Sequence, residues 1–464
     1  MGEQPLYEIA IAVSTSDYIP SDRLERRVGL RTVEMDDLIF KINGQRLFLK
    51  SIVYGPPGPL LAHVPKTTLQ EDVRSVRDAG LDMMRIYGHI ARPETYAAAD
   101  KLGVLIWQDL PLVGGYSTKV KESARSMARS TVDLLAHHPS VVVWSGHCEP
   151  NGQLVPEPAP ESKLDVSIMR RLKTGRYFLP TWNLSVLDTV VGRELRSADP
   201  SRPVVPRSGG LPAPADQFSS DTHLWLGWHF GRPEQLAEII RYWPRLASFV
   251  GGIGTQSAAI QDWPIEAPKW LTAEQGAFGR YLPRSAYPDG RAWAAATRSY
   301  QADVLRTQIE TLRRLKYRPA GGLCVTALAD AEPAGGFGVL DFDRHRKPAF
   351  DALVDACRPV VVIADAPPQI ATPGTHLSLA VHAINDRQIT LDEARITATA
   401  RLNDWHHRVS WAGTLPADCC EKVGQLDFQV PGEHGPLTID LELESADLTV
   451  SNRYQTVVIP TAEG

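Results

Sequence analysis

The sequence predicts an α/β chain built on a (β/α)8 TIM barrel, with a few strands before it and a β-sandwich after it. Three observations carry this reading. From about residue 46 to 358, short apolar runs alternate with amphipathic segments, the pattern of a parallel sheet with crossover helices. Both ends of the chain show strand patterning without helices. The length of 464 residues, 43% of them hydrophobic, exceeds one compact domain and suits a barrel with an appendage.

In chain order, Tyr7, Ile9, Ile11 and Val13 alternate along a first strand, and period-two patterning continues to about residue 50. Residues 1–45 therefore read as residual strands of an immunoglobulin-like sandwich, too few to bury a face alone. The barrel, residues 46–358, contains eight apolar runs: Leu47–Tyr54, Met83–Tyr87, Val104–Gln108, Val141–Ser145, Val204–Arg207, a weak one at Asp221–Leu224, Phe249–Gly252 and Gly322–Ala327. Between them, Leu69, Val73 and Val76 fall at i, i+4 and i+7, as do Leu305, Ile309 and Leu312, each set marking one face of a helix. The Pro-rich stretch Val155–Pro160 and the segment Ala258–Pro288 read as insertions into a fold that ordinarily takes ~250 residues. After Lys347–Asp355, the expected last barrel helix, alternation at Leu377, Leu379 and Val381, at Ile396, Ala398, Ala400 and Leu402, and at Leu437, Ile439, Leu441 and Leu443 makes residues 359–464 a second immunoglobulin-like sandwich.

Composition removes several function classes. Forty-nine Lys and Arg face 54 Asp and Glu, a formal charge of -5, so no basic footprint points to nucleic acid. No apolar run approaches the ~18 residues that cross a bilayer, so no membrane partner is expected. Glu3 and Glu8 interrupt what a secretory leader would keep apolar, and a cytoplasmic location is the expectation. Five cysteines (Cys148, Cys324, Cys357, Cys419, Cys420) show no C-x-x-C spacing and the histidines no H-E-x-x-H spacing; neither a disulfide framework, a metal nor a cofactor is expected.

A (β/α)8 barrel places its chemistry at the C-terminal ends of its strands. The residues that follow the runs are Arg85, Asp109, His147, Glu149, Asp221 and His223, with Trp107, Trp144, Trp225 and Trp228 among them. Carboxylates, an arginine and indole faces in one concavity suit a sugar, whose hydroxyls take polar partners while its C–H faces lie on aromatic rings.

The same segments carry a resemblance. RRVGLRTVEMDDLIFKINGQRLFLKSIVYGP, YAAADKLGVLIWQDLP, HHPSVVVWSGHCEPN, SDTHLWLGWH and GGFGVLDFDRHRKPAF are similar to the barrel of glycoside hydrolase family 2, nearest its β-mannosidase-like branch, over about residues 5–360. The resemblance implies a retaining glycosidase ancestry, with an acid/base Glu ending strand four and a nucleophile Glu ending strand seven. The branch's W-x-G-N-N-E falls on Trp144 to Glu149, so Glu149 is the implied acid/base, while His147 and Cys148 replace two asparagines, the second of which usually holds the sugar 2-hydroxyl. The strand-seven motif S-E-F-G-x-Q-S falls on Gly251 to Ser257 and puts Gly252 where the nucleophile is expected. Strand eight, W-Q-L-N-D in the branch, reads Val325 to Asp330 and lacks the Trp.

Retaining hydrolysis needs a second carboxylate ~5–5.5 Å from the first, and glycine offers none. Two routes stay open. In one, Asp109, Asp221 or Asp330 activates a water in the vacated space and the reaction inverts; in the other, the cavity receives an external nucleophile or the substrate's own group. Arg85, Trp107, Asp109, His147, Cys148, Asp221, His223, Trp225, Trp228 and Asp330 are the candidate substrate-binding residues. The expected partners are a carbohydrate and either a separate upstream jelly-roll polypeptide or a second copy of the chain. A sugar-binding protein without catalysis is the alternative reading.

Overall fold

The computed structural model describes residues 4–16, 20–150, 181–209, 220–261, 275–446 and 448–459; the expected insertion Val155–Pro160 lies outside them. The chain divides into two compact units, one formed by Met1–Leu305 with Pro319–Val354, the other by Arg306–Arg318 with Asp355–Gly464.

The first unit opens with two separate sheets instead of one residual sandwich. Strands β1 (Tyr7–Ser14) and β2 (Pro20–Val28) form an antiparallel hairpin with Ile11 opposite Leu24. Tyr7, Ile9, Ile11 and Val13 are exposed along it. Strands β3 (Val33–Asp36), β4 (Ile39–Ile42) and β5 (Gln45–Leu47) form a three-stranded meander. Its second turn is the Asn43-Gly44 pair, both residues at positive φ as a two-residue hairpin loop requires. The first turn bends back through Asp37 and Leu38, also at positive φ, and Leu38 is fully buried. Leu38 and Phe40 share one cluster with Leu49, Trp107, Phe249 and Cys324. Alternation in this stretch thus serves a plug under the barrel: the Leu38 carbonyl crowds against Gly321, just ahead of a barrel strand.

All eight apolar runs of the barrel are strands, each shifted by a residue or two from its expected limits. They are β6 (Leu49–Tyr54), β7 (Met83–Ile86), β8 (Leu105–Asp109), β9 (Val141–Cys148), β10 (Val204–Ser208), β11 (Thr222–His223), β12 (Val250–Ile253) and β14 (Gly322–Val325). The pair β13 (Ser257–Ala258) and β15 (Gly335–Gly336) forms a small antiparallel ribbon. Parallel pairing runs β10-β9-β8-β7-β6-β14-β12-β11, with helices such as Lys66–Asp78 and Lys121–Leu135 between strands. Nearly every strand residue is buried, as expected for strands covered on both faces.

The two end strands, β10 and β11, do not hydrogen-bond to each other among the described residues, so the sheet is nearly but not fully closed by its backbone. Side chains bridge the gap. Ser208, the last residue of β10, donates from Oγ to Asp221 Oδ2 at 2.9 Å, next to β11. Arg85 of β7 reaches across the barrel to the same seam, Nη1 to Asp221 Oδ2 at 3.0 Å and Nη2 to Ser208 Oγ at 2.5 Å, while its Nε donates to Asp109 Oδ2 on β8 at 2.9 Å.

The second unit is a sandwich of two antiparallel sheets. One holds β16 (Val360–Ala364), β18 (His376–Asn385) and β21 (Cys419–Gln429); the other holds β17 (Ile370–Ala371), β19 (Leu391–Leu402), β20 (Trp405–Leu415), β22 (Gly435–Ser445) and β23 (Leu448–Val458). The side chains expected to point inward, from Leu377 to Leu443, do so and form one core.

Two outcomes test this architecture. Phe40→Ala removes an aromatic ring from the barrel plug and is expected to cost ~3–5 kcal/mol in denaturant unfolding; a loss below ~1 kcal/mol would place β4 outside the core. Arg85→Met leaves Asp109 and Asp221 buried without their cation, at an expected cost of ~3–5 kcal/mol, read as a lowered Tm whose deficit narrows when Asp109→Asn is added.

Candidate functional site

Strand β9 delivers Glu149. Its apolar run buries every residue to Cys148, and the next residue leaves the strand with a left-handed backbone, φ 49°, its N–H donating to the Ser208 carbonyl at 2.9 Å. A non-glycine residue held in that region needs surrounding structure to fix it. The fixing bonds are visible: Cys148 N–H donates to Leu112 O and Gly114 N–H to Cys148 O, both at 2.9 Å. His147 presents Nδ1 to Asp188 Oδ1 at 2.8 Å and Nε2 to Gly114 O at 2.5 Å, tying the loop after β8 to the helix Asp188–Ala198.

The Glu149 carboxylate is matched by an imidazole. His223 Nδ1 lies 2.7 Å from Glu149 Oε1, and Nε2 lies 3.6 Å from Asp221 Oδ2. Burial alone would discharge this ring, but the hydrogen bonds and charges of Asp221 and Glu149 outweigh it and push His223 up to about 8. It is therefore protonated at neutral pH and donates to Glu149. Asp221 is held below the usual carboxylate range, since Arg85 and His223 together overcome its burial. Asp109 is raised, because its complete burial exceeds what Arg85 returns.

Around His223 the backbone has been cleared of side chains. A Cβ on Gly252 would lie 3.0 Å from His223 Cγ and 3.1 Å from Trp225 Cζ2; one on Gly251 would lie 1.6 Å from Asp221 Oδ2. On the far side, a Cβ on Gly209 would lie 2.8 Å from His223 Nδ1 and 2.9 Å from Glu149 Cγ. The space in front of Gly252, read from the sequence as vacated, is bordered by an imidazole and an indole. Residues 251 and 252 are both glycine, so a shift of one residue in the register of β12 brings no side chain to this height.

A cavity of about 490 Å³ opens over these groups. Of the expected site residues, Arg85, Glu149, His223, Trp225 and Asp330 line it. The Trp225 indole N–H is buried without a hydrogen-bond partner among the described residues, and its ring packs on Phe337 with centroids 5.4 Å apart. Asp330 is locked, Oδ2 to Lys347 Nζ at 2.7 Å, and Lys347 also meets Ser257 Oγ at 3.0 Å. Burial raises Asp330 and lowers Lys347, with each partner opposing the shift.

The other candidates stand behind the wall. Trp107 is in the core under the barrel, its Nε1–H on Asp109 Oδ1 at 3.0 Å, and Trp228 packs edge-on against Phe278. Asp109 and Asp221 are spent on Arg85, and His147 on Asp188 and Gly114. Cys148 is buried, its thiol pushed well up by burial and set 3.8 Å from Arg85 Nη2. Of the three carboxylates considered for activating water, only Asp330 reaches the cavity. Tyr54, Tyr87, His229 and Phe337 line it too and were not anticipated. Tyr54 ends β6 and Tyr87 follows β7, so the strand-end rule already pointed to them; His229 and Phe337 sit in loops that carry no such signal.

No protein-family model matches the chain. Among curated proteins, β-mannosidase B of Thermothelomyces thermophilus is 28% identical over 265 residues, 54% of this chain and 30% of that protein. β-Mannosidase B of Emericella nidulans is 24% identical over 396 residues, 78% of this chain and 46% of that one. The chain thus spans less than half the length of these relatives. Among solved structures, the β-D-mannosidase of Dictyoglomus thermophilum superposes with a TM-score of 0.72 at 18% identity, covering 98% of this chain and 56% of that one. With its parallel barrel, appended sandwich and strand-end residues, the chain has a glycoside hydrolase family 2-like fold.

Proposed function

We propose that the chain is a carbohydrate-active protein that takes the non-reducing end of a β-linked glycoside, a β-mannoside first, into the cavity over β9 and β11, with Glu149 as proton donor to the leaving oxygen. The single observation that carries this is the placement of Glu149: one carboxylate, fixed by backbone bonds at the end of β9, on the wall of a cavity of about 490 Å³. The volume suits one or two sugar rings. Trp225 supports the reading by offering an apolar face and an unpartnered N–H, the two things a sugar ring satisfies together. The likeness to β-mannosidases names the first sugar to try.

A second reading, a sugar-binding protein without turnover, is favoured by one observation: the place in front of Gly252 is bordered by His223 and Trp225, with no carboxylate there.

Release of nitrophenol from para-nitrophenyl β-D-mannoside, set beside the gluco, galacto and glucosamine analogues, separates the two. Under the first reading Glu149→Gln lowers kcat/KM by ~10²–10⁴-fold while mannose binding by calorimetry persists. Mannose binding by the unaltered protein with no release from any of the four supports the second. Trp225→Ala is expected to weaken sugar binding by about tenfold under either reading, roughly what one aromatic contact contributes; unchanged affinity would move the sugar to another part of the molecule.

A further inference from the structure

We propose that His223 is the second working group of this site: it takes the volume in front of Gly252 that a strand side chain would fill and operates with Glu149 as one proton-transfer unit, so that no covalent glycosyl–enzyme forms. The proposal rests on the reading that the cavity receives a β-glycoside.

The geometry points to it from three sides. His223 pairs in register with Gly252 across β11 and β12, so the two residues compete for one space, and the ring has it. Gly209, at φ 72°, closes on the ring's other edge, where any side chain would strike both His223 and Glu149. Gly251 yields in the same way to Asp221, which holds the imidazole from behind. Three glycines on two elements therefore fit one Asp221–His223–Glu149 string. An ordinary structural histidine does not need that much backbone cleared from its path.

The charged and titratable groups facing the ring are Glu149 from the end of β9, Asp221 beside β11, and Arg85 of β7 behind Asp221; His229 lies beyond the Trp225 ring. The reaction then balances without a nucleophile from the protein. The C1–O glycosidic bond breaks, and the leaving oxygen keeps the electron pair and takes the proton of Glu149. A water oxygen bonds to C1 and releases its proton to solvent. Glu149 is reprotonated from His223 Nδ1, which recovers a proton from solvent. His223 acts through Glu149 and is a positioning residue.

Two measurements test this. In NMR titrations of histidine-labelled protein, the His223 signal, identified by its loss in His223→Gln, should titrate near 8 in the unaltered chain. The midpoint should fall by about one pH unit or more in Glu149→Gln and also in Gly252→Ala, whose new methyl pushes the ring from its partner. A midpoint indifferent to both variants overturns the coupling, whatever the substrate. The second measurement is turnover of para-nitrophenyl β-D-mannoside. His223→Gln should lose the basic limb of the pH–rate profile, where a merely structural role would lower the rate evenly across pH. A fluorinated dinitrophenyl mannoside that traps glycosyl–enzyme esters should add no mass to the unaltered protein or to Gly252→Glu, and should label Gly252→Glu combined with His223→Ala. Labelling of the unaltered protein overturns the proposal. Failure of every glycoside with the NMR coupling intact instead removes the β-glycoside reading and with it the reaction, leaving only the coupled pair.

Discussion

One buried cation organises the first unit. Arg85 stands inside a barrel whose end strands are not joined by backbone hydrogen bonds, and its guanidinium binds Asp109 on β8, Ser208 at the end of β10 and Asp221 beside β11. Burying a guanidinium is costly unless its donors are used and its charge is opposed. Here two carboxylates and a hydroxyl do both, and the same bonds bring β10 and β11 to a common seam. The site depends on that seam. Asp221 is fixed from one side by Arg85 and Ser208, and only then can it hold His223 from the other. Geometry thus passes from a charge inside the barrel, through one carboxylate, to the imidazole and on to Glu149.

This order explains which residues reach the cavity. A carboxylate engaged by Arg85 is no longer available to a substrate, so Asp109 and Asp221 become framework and Glu149 is left as the acid that touches open space. Asp330 follows the same rule through Lys347. The aromatic residues sort likewise: Trp107 is drawn below by Phe40 and Phe249, while Trp225, packed between His223 and Phe337, keeps a face and a free N–H at the wall.

Much of the architecture was legible because it rests on periodicity. Strands covered on both faces read as continuous apolar runs, and Val141–Val143 or Met83–Met84 leave little else to infer. Alternation in Leu437–Leu443 was equally direct. The plug was not legible, since β3–β5 carry the same two-residue period whether they pack in a sandwich or beneath a barrel; what they pack against is a long-range fact. At the site, strand-end position found Arg85, Glu149 and His223 but could not tell wall from framework. Trp107 and Trp225 look alike in sequence, and a partner at a distance decides between them. The glycines were legible as an absence only. That Gly209, Gly251 and Gly252 clear room for one string of side chains depends on neighbours 43 residues apart or nearly adjacent, which no local pattern records.

The substitution of His147 for an amide residue fits the same logic. An imidazole with acceptors at both nitrogens, the Asp188 carboxylate and the Gly114 carbonyl, braces β9 against the loop after β8 and the helix after the fourth strand. It does so one residue before Cys148 and two before Glu149, where the backbone turns to φ 49°. The brace limits how Glu149 can move, and His223 fixes where its carboxylate points. A site with one proton donor needs that donor held from both its main chain and its side chain, because no second carboxylate shares the task of aligning a sugar against it. The exchange of a strand-seven side chain for a strand-six imidazole is therefore more than a loss at one position. It requires an acceptor behind the ring, glycines on either side and a braced strand in front, and all three are present together.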